Sequence, residues 1–154
     1  MKFAIISDTH DQVKNLTKVI EWLHQENITT LLHCGDICFQ ETQLMLEKNY
    51  QGQVFLVRGN GDYELLNLPE ELVVNLGGKK IHINHYPDVA KKKAESGKYD
   101  LVFYGHTHKP WEEKIGNCRL VNPGELAGQR YKPTFAIYDT DTDFLELKIL
   151  ERLR

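Results

Sequence analysis

Five short apolar runs in this chain each end in a side chain able to bind a metal, and that recurrence narrows what the chain can fold into. Leu101-Val102-Phe103-Tyr104 reads as a buried strand and passes straight into Gly105-His106-Thr107-His108. Ile5-Ile6 leads to Asp8-Thr9-His10, and Leu31-Leu32-His33-Cys34 leads to Gly35-Asp36. Val54-Phe55-Leu56-Val57 leads to Gly59-Asn60, and Ile81-His82-Ile83-Asn84 leads to His85. A continuous apolar run such as Leu101–Tyr104 belongs to a strand covered on both faces. In open α/β folds, ligands gather in the crevice beyond the carboxyl ends of such strands. At 154 residues and 41% hydrophobic content, residues 1–154 are expected to form a single domain with a substantial core.

The spacing of the remaining residues fills in the architecture. Val13, Leu16, Ile20 and Leu23 share one helical face, predicting a helix over 11–25 with Asp11 as its cap. Strands are expected over 2–6, 29–33 and 53–57, with a second helix over 39–48. This strand–helix alternation implies right-handed parallel crossovers. Trp22 reads as a packing residue of the first helix. Beyond it, 71–76 and 79–84 flank Gly77-Gly78 as a hairpin, and a helix over 88–97 follows. The Lys91-Lys92-Lys93 run is expected to be a solvated face of that helix. Further strands are expected over 111–115, 119–121, 134–139 and 144–150. The pattern is a parallel α/β half followed by an antiparallel β-rich half, two sheets packed face to face and flanked by helices.

Charge and composition remove several function classes. The formal net charge of −3 lacks the basic balance of a nucleic-acid-binding surface, although an anionic substrate remains compatible with bound divalent ions. No run is long enough to span a membrane, and Met1–Asp8 lacks the apolar core and cleavage site of a signal peptide. Cys34, Cys38 and Cys118 form no disulfide framework, so a reduced, cytoplasmic setting is expected.

The candidate metal ligands are Asp8, His10, Asp36, Asn60, His85, His106 and His108. Successive groups are 21 to 28 residues apart, about one crossover each, so all can return to one edge of the sheets. Oxygen and imidazole donors without thiolate suit Mn²⁺, Fe²⁺, Ni²⁺ or Zn²⁺. Seven donors exceed one ordinary site but serve two ions if a carboxylate bridges them. Asn60 supplies an oxygen without adding negative charge beside a phosphate. Asp62 is expected either to orient a ligand by hydrogen bond or to serve as an ordinary turn carboxylate. Arg58, Lys109 and Arg130 are candidates for phosphate contact. Leu65, Leu66 and Leu68 are a candidate exposed contact between copies of the chain.

Together Asp8-x-His10, Gly35-Asp36, Gly59-Asn60-Gly61-Asp62, His85, Gly105-His106-x-His108 and Asn122-Pro123-Gly124 resemble the motifs of the calcineurin-like metallophosphoesterases, in particular their small bacterial and archaeal phosphodiesterases. The resemblance implies a four-layer α/β/β/α sandwich of two mixed sheets. It implies that Asp8, His10, Asp36 and His108 hold one ion and Asp36, Asn60, His85 and His106 the other, with Asp36 as bridge. On this reading Asp36, Asn60 and Asp62 carry the catalytic machinery, Mn²⁺ is the favoured metal, and a nucleotide-like phosphodiester is cut by a metal-bridging hydroxide. The alternative is a non-catalytic scaffold or phospho-ligand module on the same fold, which would be expected to lose several donors. Three positions depart from the pattern. Gly61 stands where many relatives carry a proton-donating histidine, leaving His33 and Cys34 as fallback acids. Tyr86 replaces the glycine that usually follows His85. Glu125 replaces a serine and is expected either to repel phosphate or to lie at the surface.

Overall fold

The structure, a computed structural model, describes residues 1–154. Strands β1 (Lys2–Ile6), β2 (Thr30–His33) and β3 (Gln53–Leu56) are parallel, and their crossovers carry helices α1 (Val13–Gln25) and α2 (Gln40–Asn49). Hairpin β4 (Glu71–Leu76) and β5 (Lys79–Asn84) turns at Gly77 and Gly78, whose φ of 54° and 80° suit the tight turns favoured between two strands. Helix α3 (Pro87–Glu95), β6 (Leu101–Phe103), β7 (Trp111–Ile115) and β8 (Cys118–Asn122) follow, then β9 (Thr134–Asp139) and β10 (Phe144–Ile149). One sheet has the order β10-β9-β1-β2-β3 and the other β4-β5-β6-β8-β7.

Both sheets are mixed. In the second, β5, β6 and β8 are mutually parallel and the antiparallel partners are the edge strands β4 and β7. The expected antiparallel second half is therefore corrected, and the last hairpin crosses back to the first sheet beside β1. Burial supplies the reason. Phe135, Ala136, Ile137 and Tyr138 are all buried, so β9 needs cover on both faces and finds it inside the first sheet.

Three apolar clusters define four layers. Phe3, Ile5 and Leu32 of the first sheet meet Ile81, Ile83 and Phe103 of the second between the sheets. Ala4 and Ile6, on the opposite pleat, face Leu16, Val19 and Leu23 of α1. Ala90 and Ala94 of α3 cover Val102 and Leu120 on the outer face of the second sheet. The order is helices, sheet, sheet, helix. Trp22 packs edge-on against Phe135, with ring centroids 5.5 Å apart. Lys91 and Lys92 are exposed, while Lys93 pairs with Glu71 at 3.1 Å.

Two local expectations are revised. Asp11 does not cap α1: it sits at φ 60°, and its carboxylate accepts a hydrogen bond from Thr42, tying the entry of α1 to α2. The leucine contact dissolves, because Leu65 is buried in the core and Leu68 packs against it, leaving Leu66 alone exposed. No helix is long and apolar enough to cross a membrane.

Candidate metal centre

The seven candidate ligands sit on the loops that leave β1, β2, β3, β5 and β6 at one edge of the two sheets. These loops are stitched to one another through their backbones. Asp8 N–H donates to Gly35 O and His10 N–H to Asp36 O, each at 3.0 Å, and Gly105 N–H donates to His85 O at 3.1 Å. Asp8, His10, Asp36, His106 and His108 have φ of 50°, 43°, 60°, 69° and 63°. Left-handed backbone is uncommon for residues with a Cβ and clusters at functional sites. Two glycines allow the close approach. A Cβ on Gly59 would overlap the Asp36 carboxylate, and one on Gly105 would overlap the Ser7 hydroxyl.

The side chains form two adjoining groups. In the first, His10 Nε2 and His108 Nε2 are 3.2 Å apart, and Asp8 Oδ1 lies 3.6 and 3.3 Å from them. In the second, Asn60 Oδ1 is 2.9 Å from both His85 Nε2 and His106 Nδ1. Asp36 stands between the groups, its Oδ2 3.5 Å from His10 Nε2 and 3.5 Å from His85 Nε2. Ligand atoms of Asp8, His10 and His108, and likewise of Asp8, Asp36 and His85, all lie within 4.8 Å of one another. Donors about 2.0–2.1 Å from a shared ion stand roughly 3.0–3.4 Å apart, close to these separations. Asp8 Oδ1 is buried with no aligned hydrogen-bond partner. That orphaned oxygen, amid imidazoles crowded nitrogen to nitrogen, fits a centre built for cations.

Neighbouring groups hold the ligands in register. Asp62 is buried, and its carboxylate accepts from Asp36 N–H at 2.9 Å, Gly59 N–H at 2.6 Å and Cys38 N–H at 2.7 Å. It therefore ties the Asp36 loop to the Asn60 loop through their backbones. His85 Nδ1 lies 2.7 Å from Cys34 O, which can only accept, so the ring presents its Nε2 lone pair to the centre. Asn122, the last residue of β8, holds the last histidine loop by donating to Gly105 O and Thr107 Oγ1, each at 3.0 Å.

Without cations, these carboxylates recruit protons. The adjacent Asp8 carboxylate, with Cys38 next, pushes His10 up to about 10, and Asp8 likewise raises His108. Burial opposes charge on His85, yet Asp36 and Asp8 hold it above its ordinary value. Burial would raise Asp8, but His10 and His108 keep it below the usual carboxylate range.

The comparisons agree with this geometry. The family model of the calcineurin-like phosphoesterase superfamily domain matches residues 1–143. The chain belongs to that superfamily. It is 35% identical to Phosphodiesterase MJ0936 of Methanocaldococcus jannaschii, over 92% of this chain and 94% of that one. It superposes on the solved structure of an archaeal phosphodiesterase with a TM-score of 0.88 at 31% identity, covering 97% and 99% of the two chains. Vps29 of Entamoeba histolytica, solved with zinc, shares the fold at a TM-score of 0.75 and 22% identity, over 97% and 99%.

Within this calcineurin-like phosphoesterase, the three departures have structural outcomes. Gly61 is outside the left-handed region, so its backbone admits a side chain, though a Cβ would lie 3.1 Å from Asp36 Oδ1 and 3.2 Å from Cys38 Sγ. The fallback acids are closed off. Cys34 is fully buried; His33 accepts from Gly35 N–H at Nδ1 and meets Thr9 Oγ1 at Nε2, and burial lowers it to about 4. Tyr86 packs 5.2 Å from the His85 ring and 5.5 Å from the His106 ring, at the mouth of the second group. Glu125 does not lie at the surface; it is wholly buried, with Oε2 3.0 Å from His108 Nδ1.

The basic candidates are dispersed. Arg58 Nε donates to Asp62 O at 3.4 Å, beside the Asn60 loop. Lys109 Nζ stands over the Trp111 ring at 5.3 Å. Arg130 is exposed and touches the Glu125 carboxylate only through its backbone N–H.

Proposed function

We propose that this protein is a dimetal phosphodiesterase acting on a small, nucleotide-like phosphodiester. The observation that carries the reading is the place of Asp36, whose Oδ2 is equidistant at 3.5 Å from His10 of one ligand group and His85 of the other. Asp8, His10, Asp36 and His108 would hold one ion and Asp36, Asn60, His85 and His106 the other, with Mn²⁺ the favoured metal and Fe²⁺, Ni²⁺ or Zn²⁺ alternatives. Such a pair, when bound, lowers the pKa of a shared water and neutralises charge developing on the phosphoryl oxygens. The chain's own residues supply placement. Asp62 fixes the Asp36 and Asn60 loops, and the neutral Asn60 amide limits negative charge beside the substrate. Arg58, beside the Asn60 loop, and Lys109 and Arg130 are the candidates to meet an incoming phosphate.

The test pairs metal analysis with turnover of bis-p-nitrophenyl phosphate by Mn²⁺-loaded protein. Two ions per chain and faster cleavage of this diester than of p-nitrophenyl phosphate are expected. Asp36→Ala should lower occupancy at both positions, whereas His108→Ala should empty mainly one. A single ion unaffected by Asp36→Ala would contradict the reading.

A further inference from the structure

Glu125 is completely buried, yet no lysine or arginine pairs with it. Four nitrogens converge on its carboxylate. Oε1 accepts from Arg130 N–H at 2.6 Å and Tyr131 N–H at 2.7 Å, and Oε2 accepts from Gln129 N–H at 2.8 Å. The fourth is His108 Nδ1, 3.0 Å from Oε2. The opposite nitrogen of that ring, Nε2, faces Asp8 Oδ1 at 3.3 Å. Carboxylate, imidazole and carboxylate thus form one line into the first ligand group. His108 Nδ1 and Asp8 Oδ1, the two buried side-chain polar atoms without an aligned partner, both lie on that line.

We propose that Glu125 is a positioning residue for the metal centre, holding the Nδ1 proton of His108 so that the Nε2 lone pair is presented to the ion. The inference rests on the dimetal reading above. A carboxylate that merely knitted the 129–131 turn would need only the backbone amides, whereas Oε2, which accepts from Gln129 N–H, also stands 3.0 Å from Nδ1 of the ligand ring. Only a carboxylate satisfies the site, because an amide would place its own N–H₂ against a donor at one end. The same segment is sewn to the opposite ligand: Leu126 N–H donates to Ser7 O and Ala127 N–H to Asp8 O, each at 3.0 Å. A ligating imidazole whose far nitrogen donates to a carboxylate is fixed in orientation and made more basic.

The experiment measures Mn²⁺ binding by calorimetry to metal-freed wild type, Glu125→Gln, His108→Ala and the double variant, with folding checked by near-UV circular dichroism. Glu125→Gln is expected to weaken one of the two sites by about 10–100-fold and spare the other. In the His108→Ala background the same change should cost nothing further. If Glu125→Gln does not fold, Glu125→Asp keeps the charge and withdraws it by one methylene, and the same single-site loss is expected. In Zn²⁺-loaded wild type, the His108 Nδ1 proton should be visible by NMR and slow to exchange, and in the variant it should exchange rapidly. Wild-type affinity at both sites, or an equal loss with and without His108, would overturn the proposal. Wild type binding no Mn²⁺ would instead remove the dimetal reading and this inference with it.

Discussion

Asp8, His10, Asp36, His106 and His108 each keep a left-handed backbone that costs of order 1–3 kcal/mol per residue, which the stitched loops must offset. The identities of these residues were legible in the sequence because each ends an apolar run. Their conformation was not, since none is a glycine. Proton competition follows from the raised imidazoles. The metal-free fold binds the His10 proton more tightly than the unfolded chain does, its value being about 10 against an ordinary 6.5. That stabilisation is complete below about 6.5 and is lost as pH climbs toward about 10. Chelator-treated protein should therefore lose Tm across this window, while metal affinity, which requires the proton to leave, should rise. Metal titrations in two buffers of different ionisation enthalpy should show proton release near neutral pH. Gly61 has a consequence for leaving groups. General acid catalysis contributes roughly 10²–10⁴-fold, and neither His33 nor Cys34 is free to supply it. The rate should depend steeply on leaving-group pKa, and Gly61→His should flatten that dependence if the Asp36 carboxylate and Cys38 each give by a few tenths of an ångström. A shallow dependence with chemistry rate-limiting would show that another acid operates.

Among the elements, strands were the most legible, because burial on both faces writes itself as continuous apolar runs and Gly77-Gly78 marks the hairpin by its turn chemistry. The partner of β9 was not, since an apolar strand does not say which of two buried sheets will take it. The start of α1 was misread for a related reason: Asp11 has a cap's chemistry, but its carboxylate is taken by Thr42 on α2, a contact between distant segments. Glu125 was visible only as a departure from pattern, and its role depends on a turn folding back over His108. The end of β6 offers a sharp test. Gly105 N–H reaches the His85 loop while its α-carbon sits against Ser7 and Asp8, so a methyl there separates β6 from β1. Gly105→Ala should lower stability by about 1–3 kcal/mol through overpacking. It should also weaken metal binding at both positions, read by denaturant unfolding of the metal-free protein and by elemental analysis.

At the scale of the whole molecule, the sandwich is joined between its sheets by an apolar layer that includes Phe3, Phe103 and Tyr138, a contact that grips evenly but without direction. The ligand loops do not divide evenly across it. Asp8, His10, Asp36 and Asn60 follow strands of one sheet, and His85, His106 and His108 follow strands of the other. The centre is therefore also a clasp. Any ion held by Asp8 and His108, or by Asn60 and His106, would cross-link two halves already joined by side-chain packing and by hydrogen bonds such as His106 N–H to Asp8 Oδ2 at 3.0 Å. Ions at about 100 times their dissociation constant add about 2.7 kcal/mol per site, which in a chain of this size raises Tm by about 5–10 °C. Hydrogen exchange should slow on loading in β1, β2, β5 and β6 together, even though these strands lie in different sheets. A chelator should release them together, so that losing the ions loosens the seam of the sandwich as well as silencing its chemistry.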